Sequence, residues 1–370
     1  MRHIINCLAL CVISVLLAAC GSAPSATPAP TSPPPTPTAP LPTATSLPPT
    51  ATAVSPEVMA EIDALLADLA EQGLFSGAVL VGHQGNIMLS QGYGLADREQ
   101  AIPNTPQTRF RIAALTKQFT AMAILILEAQ GKLNVQDPIC NYLPDCPAIW
   151  QDVTIHHLLT HTAGMPYFTP PLKEVPLDFE PGEQWRYTHG GYLVLGYIIE
   201  AVSGQTDEEF LQEAIFTPLN LSDTGYEHNS DTLAIGYKNR FGTEPAEFID
   251  MSIAYAAGAL YSTVEDLYRW EQALSTEQLV PQAYLDEMFA PQVATNSSTG
   301  IGSGYGYGWF TGVDDAGRPR IAHDGVINGF ASVIARYPTD HLTIIVLSNQ
   351  EQNDATSLEL ILSRKIFGDE

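Results

Sequence analysis

The sequence predicts an α/β fold of the α+β type, with an antiparallel sheet flanked by helices and an all-helical lobe beside it. Two features of the chain favour this fold. Strand-like runs lie near both ends of the folded region, and segments with helical spacing lie between them. We therefore expect the two ends of the chain to meet in one sheet and the middle of the chain to form the helical lobe.

The predicted elements follow from apolar spacing and from the turn residues that interrupt it. Apolar residues recur at helical intervals in the first segment, whereas the strand segments are rich in strand-forming residues. The elements are a helix over 56–72 ended by Gly73, strands over 77–83 and 86–95 around Gly85, strands over 330–337 and 342–348 around Pro338, and a helix over 356–367.

The first 19 residues resemble a bacterial lipoprotein signal. They have a basic start at Arg2, a short apolar run, and small residues before Cys20. Such a signal is cut before the cysteine, whose thiol then carries lipid. The alternative is an ordinary secretory signal followed by a chance cysteine. A spanning helix is disfavoured, because the apolar run is shorter than the ~20 residues that a bilayer needs.

Residues 20–55 are predicted to form an extended stalk that begins at the lipidated Cys20. Residues 22–55 are almost entirely Pro, Thr, Ala and Ser, with no charged or aromatic residue. Such a segment cannot bury enough apolar surface to offset the entropy of ordering it, and its prolines favour an extended chain. We therefore expect one folded domain over residues 56–370, anchored by lipid to a bacterial cell membrane on its extracytoplasmic side.

The predicted domain is strongly acidic. The chain has 41 Asp and Glu residues against 16 Lys and Arg residues, a net charge of −25, and every acidic residue follows Pro56. This charge argues against nucleic acid as a partner and against docking on anionic lipid. Within the domain, Cys140 and Cys146 are close in sequence, so a local disulfide is expected outside the cytoplasm. A metal-binding pair is the weaker alternative, because no second pair matches it.

Ala114 and Lys117 mark the first candidate site. They stand at the start of an apolar segment that predicts a helix as far as Gln130, before Gly131. Residues three apart lie on one face of a helix, so the Lys117 amine is expected beside residue 114. The helix N-terminus adds positive potential at the same place. The ordinary alternative is that Lys117 is a charge beside a core helix.

Two later segments supply further candidates. Tyr187 lies on a turn that leads into a predicted helix, and His189 follows two residues later. Near the end of the chain, His323 and Gly325 precede Val326. A lone tyrosine is more often a core residue. The assignment of these residues to a site therefore depends on their following Ala114 and Lys117 in a particular order along the chain.

Together the motifs resemble those of the β-lactamase-related serine hydrolases, which include class C β-lactamases, D-alanyl-D-alanine peptidases and related esterases. The resemblance covers residues 57–367 and implies a site between sheet and lobe, where a serine attacks an amide or ester carbonyl. Carried over by position, it implies Lys117 as base, Tyr187 as proton shuttle and His323 as the cation of the third motif, on an edge strand beside the pocket. It also implies the backbone N–H groups of Ala114 and Val326 as oxyanion hole.

Ala114 occupies the position of the nucleophilic serine in that family. It keeps the backbone N–H group but has no nucleophilic atom. Thr116 cannot replace the serine, because two residues along a helix is a rotation of about 200°. His189 stands where the family has Asn or Ser, and Ala163 where it commonly has Ser. These further departures favour natural loss of the serine over an engineered substitution.

His157 and His161 are a second pair with possible chemistry. They are four residues apart, a spacing that can bind a metal from one helix face. No acidic residue lies between them and no third ligand is evident. We therefore expect them to pack or to cap near the site, and we predict neither a metal nor a cofactor.

Three hypotheses follow from Ala114. Loss of a nucleophile costs about 10⁶ in rate, whereas an oxyanion hole and substrate binding can retain roughly 10³–10⁴ over water. The favoured hypothesis is a pseudoenzyme that binds a peptide, cell-wall or ester-like ligand, including β-lactams, without efficient turnover. The second is an active hydrolase in which Lys117, Tyr187 or His189 activates water. The third is a non-catalytic scaffold that binds nothing in this pocket.

Overall fold

The main sheet brings the two ends of the folded region together. The computed structural model describes residues 54–167, 175–228, 232–296 and 301–369, which belong to one compact unit. Its strands are β1 (Gly77–His83), β2 (Asn86–Tyr93), β3 (Leu95–Asp97), β4 (Ile102–Pro103), β5 (Phe110–Arg111), β6 (Gly225–Tyr226), β7 (Leu260–Ser262), β8 (Val293–Ala294), β9 (Gly304–Tyr305), β10 (Phe310–Val313), β11 (Pro319–Ile327), β12 (Phe330–Tyr337) and β13 (Leu342–Ser348).

Eight of these strands form one antiparallel sheet in the order β2-β1-β13-β12-β11-β10-β9-β8. The first strand pairs directly with the last, from Gly77 opposite Ser348 to His83 opposite Leu342. Strands β1, β12 and β13 are buried along their whole length, which explains why their sequences are almost continuously apolar. The predicted α+β fold with a closing antiparallel sheet is thus confirmed.

The helices divide between the two faces of the sheet and a separate lobe. The helices predicted to begin at Pro56, to end near Gln130 and to span 356–367 agree with the observed bounds within a few residues, a difference that is normal at helix ends. The helices are α1 (Pro56–Glu71), α2 (Thr116–Ala129), α3 (Ile155–Leu159), α4 (Gly190–Ser203), α5 (Asp207–Leu211), α6 (Thr217–Leu219), α7 (Tyr255–Gly258), α8 (Val264–Ala273), α9 (Gln282–Phe289) and α10 (Ala355–Phe367).

Side chains that alternate along β1 build two separate cores. Val79 and Val81 belong to a core that contains residues of α1 and α10, such as Ile62 and Leu362. Ala78 and its neighbours on the other face belong to the larger core of the helical lobe. The alternation follows from the two-residue period of a strand.

Helix α2 is the centre of the helical lobe. Every residue from Thr116 to Leu127 is buried, so the helix is enclosed by other elements rather than lying on the surface. Phe119 stacks on Trp270 with ring centroids 4.3 Å apart and contacts the edge of Phe216 at 5.7 Å. This packing fixes the start of α2, where the candidate site lies.

The structure describes the predicted disulfide but not the predicted signal peptide and stalk. The lobe contains a disulfide between Cys140 and Cys146. The signal peptide, Cys20 and nearly all of the stalk lie outside the described residues. Residues 168–174, which make up most of the loop before Asp178, also lie outside them. Within the described residues, no helix is both long and apolar enough to cross a membrane.

The ion pair between Arg320 and Glu359 gives a test of how α10 is held on the sheet. Both side chains are almost fully buried, and Tyr337 also donates a hydrogen bond to Glu359 at 2.8 Å. Replacing Arg320 with Met leaves a buried carboxylate without its cation, so we expect a loss of about 3–5 kcal/mol in the free energy of unfolding measured with urea.

The matched control is Arg364→Met, which removes the exposed ion pair between Arg364 on α10 and Asp315 in the turn before β11. That change should cost no more than about 1 kcal/mol. Equal losses in the two variants would contradict the structural role assigned to the buried pair.

Candidate active site

Ala114 lies in a tight turn that leads into α2. Residues Ala113–Leu115 form a 3₁₀ turn before Thr116, and Ala113 has a φ of 48°, a left-handed conformation that non-glycine residues seldom adopt. A Cβ atom placed on Gly325 would lie 2.8 Å from the backbone nitrogen of Ala114. Only glycine at position 325 therefore fits against this turn.

Lys117 is completely buried one turn further along. Its Nζ atom donates a hydrogen bond to the carbonyl oxygen of Ala257 at 2.8 Å and lies 3.1 Å from Nδ1 of His189. Burial lowers the pKa of Lys117 to about 7, although the negative charge of Asp324 opposes the change. An amine with this pKa can accept a proton near neutral pH, as the predicted base must.

His189 connects Lys117 to Tyr167. The Nε2 atom of His189 lies 2.8 Å from the hydroxyl of Tyr167, while its Nδ1 atom faces Lys117. Burial, with a further contribution from Lys117, lowers the pKa of His189 to about 3, so the ring is neutral at pH 7. When Lys117 is protonated it donates to Nδ1, which leaves the imidazole proton on Nε2.

Tyr187 contacts Lys117 through its ring. The Lys117 Nζ atom lies 5.0 Å from the ring centroid, whereas the hydrogen bonds of Nζ go to His189 and Ala257. Burial raises the pKa of Tyr187 well above its ordinary value, and the charge of Asp324 raises it further. The phenol is therefore protonated at neutral pH and can donate a hydrogen bond.

His323 does not provide the cation that the resemblance implies. It is fully buried, and burial together with the Lys117 charge lowers its pKa to about 3. Its Nδ1 atom lies 2.6 Å from the carbonyl oxygen of Asp324, so Nδ1 carries the proton and Nε2 accepts from the Tyr305 hydroxyl at 3.1 Å. His323 is thus a neutral packing residue at pH 7.

The strand that carries Gly325 and Val326 is an edge only in part. Strand β11 lies between β10 and β12, so the expectation of an edge strand was wrong for the strand as a whole. However, β10 pairs only with Pro319 to Ala322. Within the described chain, the second half of β11 has no strand partner on that side, and Val326 is 63% exposed there.

The predicted residues meet at an open cavity of about 320 Å³. Ala114, His189, Gly325 and Val326 line it together with Tyr187, whereas Lys117 and His323 lie behind its wall. The sequence analysis missed four lining residues. They are Tyr167, Trp185, Phe310 and Asp324.

Only one of the four had a signal in the sequence. Asp324 is the middle residue of the His-x-Gly motif, so its place beside the pocket could have been inferred from its neighbours. Trp185 and Phe310 resemble ordinary core residues, and Tyr167 reaches His189 from a different loop. Contacts of that kind depend on the fold and not on local spacing.

His157 and His161 take separate structural roles. His157 accepts a hydrogen bond from the backbone N–H of Thr154 and completes the N-terminal cap of α3. His161 lies beyond that helix with its ring 4.4 Å from the ring of Tyr187. Over the described ranges, no group of three or more His, Cys, Asp or Glu residues is arranged to hold a metal ion.

The lowered pKa of Lys117 predicts how stability depends on pH. An unfolded chain keeps the lysine proton up to a pKa of 10.5, whereas the folded chain releases it near pH 7. Between these values the unfolded state binds more protons, so the free energy of unfolding should increase with pH, by about 1.4 kcal/mol per unit at most.

Urea unfolding of the wild-type chain and of Lys117→Met between about pH 7 and pH 9 isolates this effect, because tyrosines ionise at higher pH. Relative to the variant, the wild type should gain about 2 kcal/mol over that range. Parallel pH profiles for the two proteins would show that Lys117 is not held in a low-pKa environment.

Comparisons with known proteins agree with this geometry. Residues 62–364 match the family model described as Beta-lactamase. The chain is 33% identical over 297 residues to the "Putative penicillin-binding protein PbpX" of Bacillus subtilis (strain 168), covering 76% of this chain and 72% of that protein. It is 29% identical over 329 residues to penicillin-binding protein 4* of the same organism, with 79% and 72% covered.

Solved structures share the same architecture. A penicillin-binding protein from Bacillus halodurans superposes with a TM-score of 0.71 at 27% identity, covering 80% of this chain and 99% of that one. The D-amino acid amidase from Ochrobactrum anthropi SV3 has a TM-score of 0.73 at 22% identity, covering 84% and 98%, which supports the fold alone. By its matched residues and its relatives, this chain belongs to the beta-lactamase family of serine hydrolases.

Proposed function

We propose that this protein is a lipid-anchored, extracytoplasmic member of the family that binds a peptide-, cell-wall- or ester-like ligand without turning it over. The observation that carries the proposal is the composition of the cavity wall. None of the nine described residues that line the cavity is Ser, Thr or Cys. The space that would hold the nucleophilic oxygen is bordered by the methyl group of Ala114.

The aliphatic hydroxyl groups of Thr116 and Ser332, which lie on neighbouring elements, are committed elsewhere. Thr116 donates to the carbonyl oxygen of Ala113 at 2.7 Å and accepts from the backbone N–H of Leu260 at 3.2 Å. Ser332 is 1% exposed and donates to the carbonyl oxygen of Ile112 at 2.9 Å. An acyl transfer needs an accessible nucleophile beside its base, and neither hydroxyl meets that requirement.

The rest of the arrangement supports binding. Gly325 allows β11 to lie directly against the turn at Ala114, and both Gly325 and Val326 border the cavity beside it. The backbone N–H groups of Ala114 and Val326 would stabilise a carbonyl oxygen in the manner of an oxyanion hole. Because the covalent step is missing, such a ligand would dissociate unchanged.

The proposed location depends on the first 55 residues. Small residues before Cys20 are typical of a lipidation signal, and the proline-rich stalk would separate the domain from the membrane. Two relatives carry the name of penicillin-binding proteins, which is consistent with work at the cell wall. The alternative is a secreted protein without lipid. Incorporation of a fatty-acid analogue at Cys20 would support the lipid anchor, and its absence would support the alternative.

Residual hydrolysis by activated water is the second candidate function. The Lys117 amine has a pKa of about 7 and contacts His189, so a water molecule next to Ala114 would have a base within reach. This route needs no side-chain nucleophile. It would give slow turnover without a covalent intermediate.

Restoring the serine tests the main proposal. The wild-type chain should not be labelled by a fluorescent fluorophosphonate or a fluorescent penicillin, whereas Ala114→Ser should be labelled by at least one of them, since the base and backbone donors are already present. The matched control is the double variant Ala114→Ser with Lys117→Met, which should lose most of the gained labelling. Labelling of the wild type would refute the proposal.

Ester hydrolysis tests the second candidate. If water is activated by the Lys117 and His189 pair, turnover of an activated aryl ester should exceed the rate in buffer and fall at least tenfold in His189→Asn. We expect the wild type to show no such excess. A measurable rate that disappears in His189→Asn would replace the binding function with slow hydrolysis.

A further inference from the structure

Asp324 is the acidic residue among the described residues that line the cavity. It stands between His323 and Gly325 on the half of β11 that lacks a partner from β10, and it lines the cavity beside Gly325 and Val326. Its charge acts on both Lys117 and Tyr187, since it raises the pKa of each. The carboxylate is therefore part of the electrostatic environment in which a ligand would sit.

In the part of the chain that the structure describes, no positive side chain lines the cavity beside Asp324. The described lining residues include neither Lys nor Arg. Lys117 is buried, with its hydrogen bonds directed to His189 and Ala257. His189 has a pKa of about 3 and is neutral at pH 7. Among the described lining residues, a ligand with an anionic group would meet one carboxylate and no cation.

The charges behind Asp324 do not reverse this conclusion. Burial raises the pKa of Asp324, whereas its own backbone N–H, Arg320 and Lys117 lower it, and Asp354 raises it. Arg320 already pairs with Glu359, so its charge is largely compensated. A cation that entered the cavity would favour the ionised form of Asp324.

Aromatic rings form much of the remaining wall. Tyr167, Trp185, Tyr187 and Phe310 line the cavity, and the rings of Tyr187 and Phe310 are nearly parallel with centroids 6.3 Å apart. Aromatic faces attract ammonium groups and also pack against apolar groups. Aromatic rings beside a carboxylate are the chemistry that recognises an organic amine.

We propose that this cavity selects ligands that carry a cationic amine close to the carbonyl group, such as aminoacyl amides and esters, with Asp324 as the residue that determines this specificity. The inference rests on the proposed binding function and narrows its ligand class. An ammonium group would pair with Asp324 while the adjoining carbonyl faces Ala114 and Val326. An apolar or aromatic side chain of the ligand would pack on the rings.

The same arrangement disfavours the ligands associated with many relatives by name. Penicillins and peptides with a free C-terminus carry a carboxylate, which Asp324 would repel. Specificity of this kind depends as much on the repulsive contact as on the attractive one. The full chain should therefore bind an amine-bearing ligand better than an anionic one of the same shape.

A charge series on one scaffold tests the inference. Phenylalanine amide is cationic, N-acetylphenylalanine amide is neutral and N-acetylphenylalanine is anionic, and both enantiomers of each are measured by calorimetry with the full wild-type chain at pH 7. We expect the preferred enantiomer of the cationic probe to bind about tenfold tighter than the neutral probe, a factor equivalent to about 1.4 kcal/mol. The anionic probe should bind weakest.

Two variants locate the effect. Asp324→Asn keeps the shape of the side chain and removes its charge. In this variant the cationic and neutral probes should bind with about equal affinity, and the anionic probe should bind more tightly than it binds the wild type. Glu247→Gln removes an exposed carboxylate outside the cavity wall and should leave the order of affinities unchanged.

The outcomes separate this inference from the proposed function. The inference would be overturned if the three probes bound with equal affinity, if the anionic probe bound best, or if the cationic probe did not bind. It would also be overturned if the preference for the cationic probe survived in Asp324→Asn. Product analysis of the same samples reports on turnover. Hydrolysis of phenylalanine amide by the wild type would refute the non-catalytic function while the charge order still decided the role of Asp324.

Discussion

The candidate site depends on one buried amine. Lys117 is held between His189 and the carbonyl oxygen of Ala257, with no exposure to solvent. An amine in that position is stable only because hydrogen bonds compensate for its lost hydration and because its pKa is low enough for it to be neutral part of the time. The packing of α2 inside the helical lobe keeps it there.

Keeping the Lys117 amine buried lowers the free energy of unfolding, and a scaffold with an unused pocket would gain nothing from that loss. Burying an amine opposes folding whenever the amine must be charged. Strained backbone at Ala113 and the close approach of Gly325 to Ala114 add similar constraints. Features of this kind are typical of functional sites. Their presence around a methyl group is what favours a retained binding role over an unused pocket.

Much of the fold could be predicted from local pattern. Continuous apolar runs identified β12 and β13 with the bounds that the structure has, because strands buried on both faces leave little ambiguity. The helix that begins at Pro56 was equally clear from its periodicity. Short strands such as β8 and β9 were not predicted, since two residues with glycine nearby carry no periodic signal.

The candidate site was predictable only as far as its motifs. Ala114, Lys117 and Tyr187 were found because their order along the chain matches the family. The neutral state of His323 and the contact between His189 and Tyr167 arise from burial and from residues distant in sequence. These properties decide the chemistry of the cavity, and no local pattern contains them.

The proposed function depends on an intact acyl-binding site around a position that has lost its nucleophile. A crystal structure of the wild-type protein soaked with an aminoacyl aryl ester tests it most directly. We expect an uncleaved ester in the cavity, with its carbonyl oxygen at the backbone N–H groups of Ala114 and Val326. Electron density for a covalent bond to any side chain, or for hydrolysed product in the cavity, would contradict it.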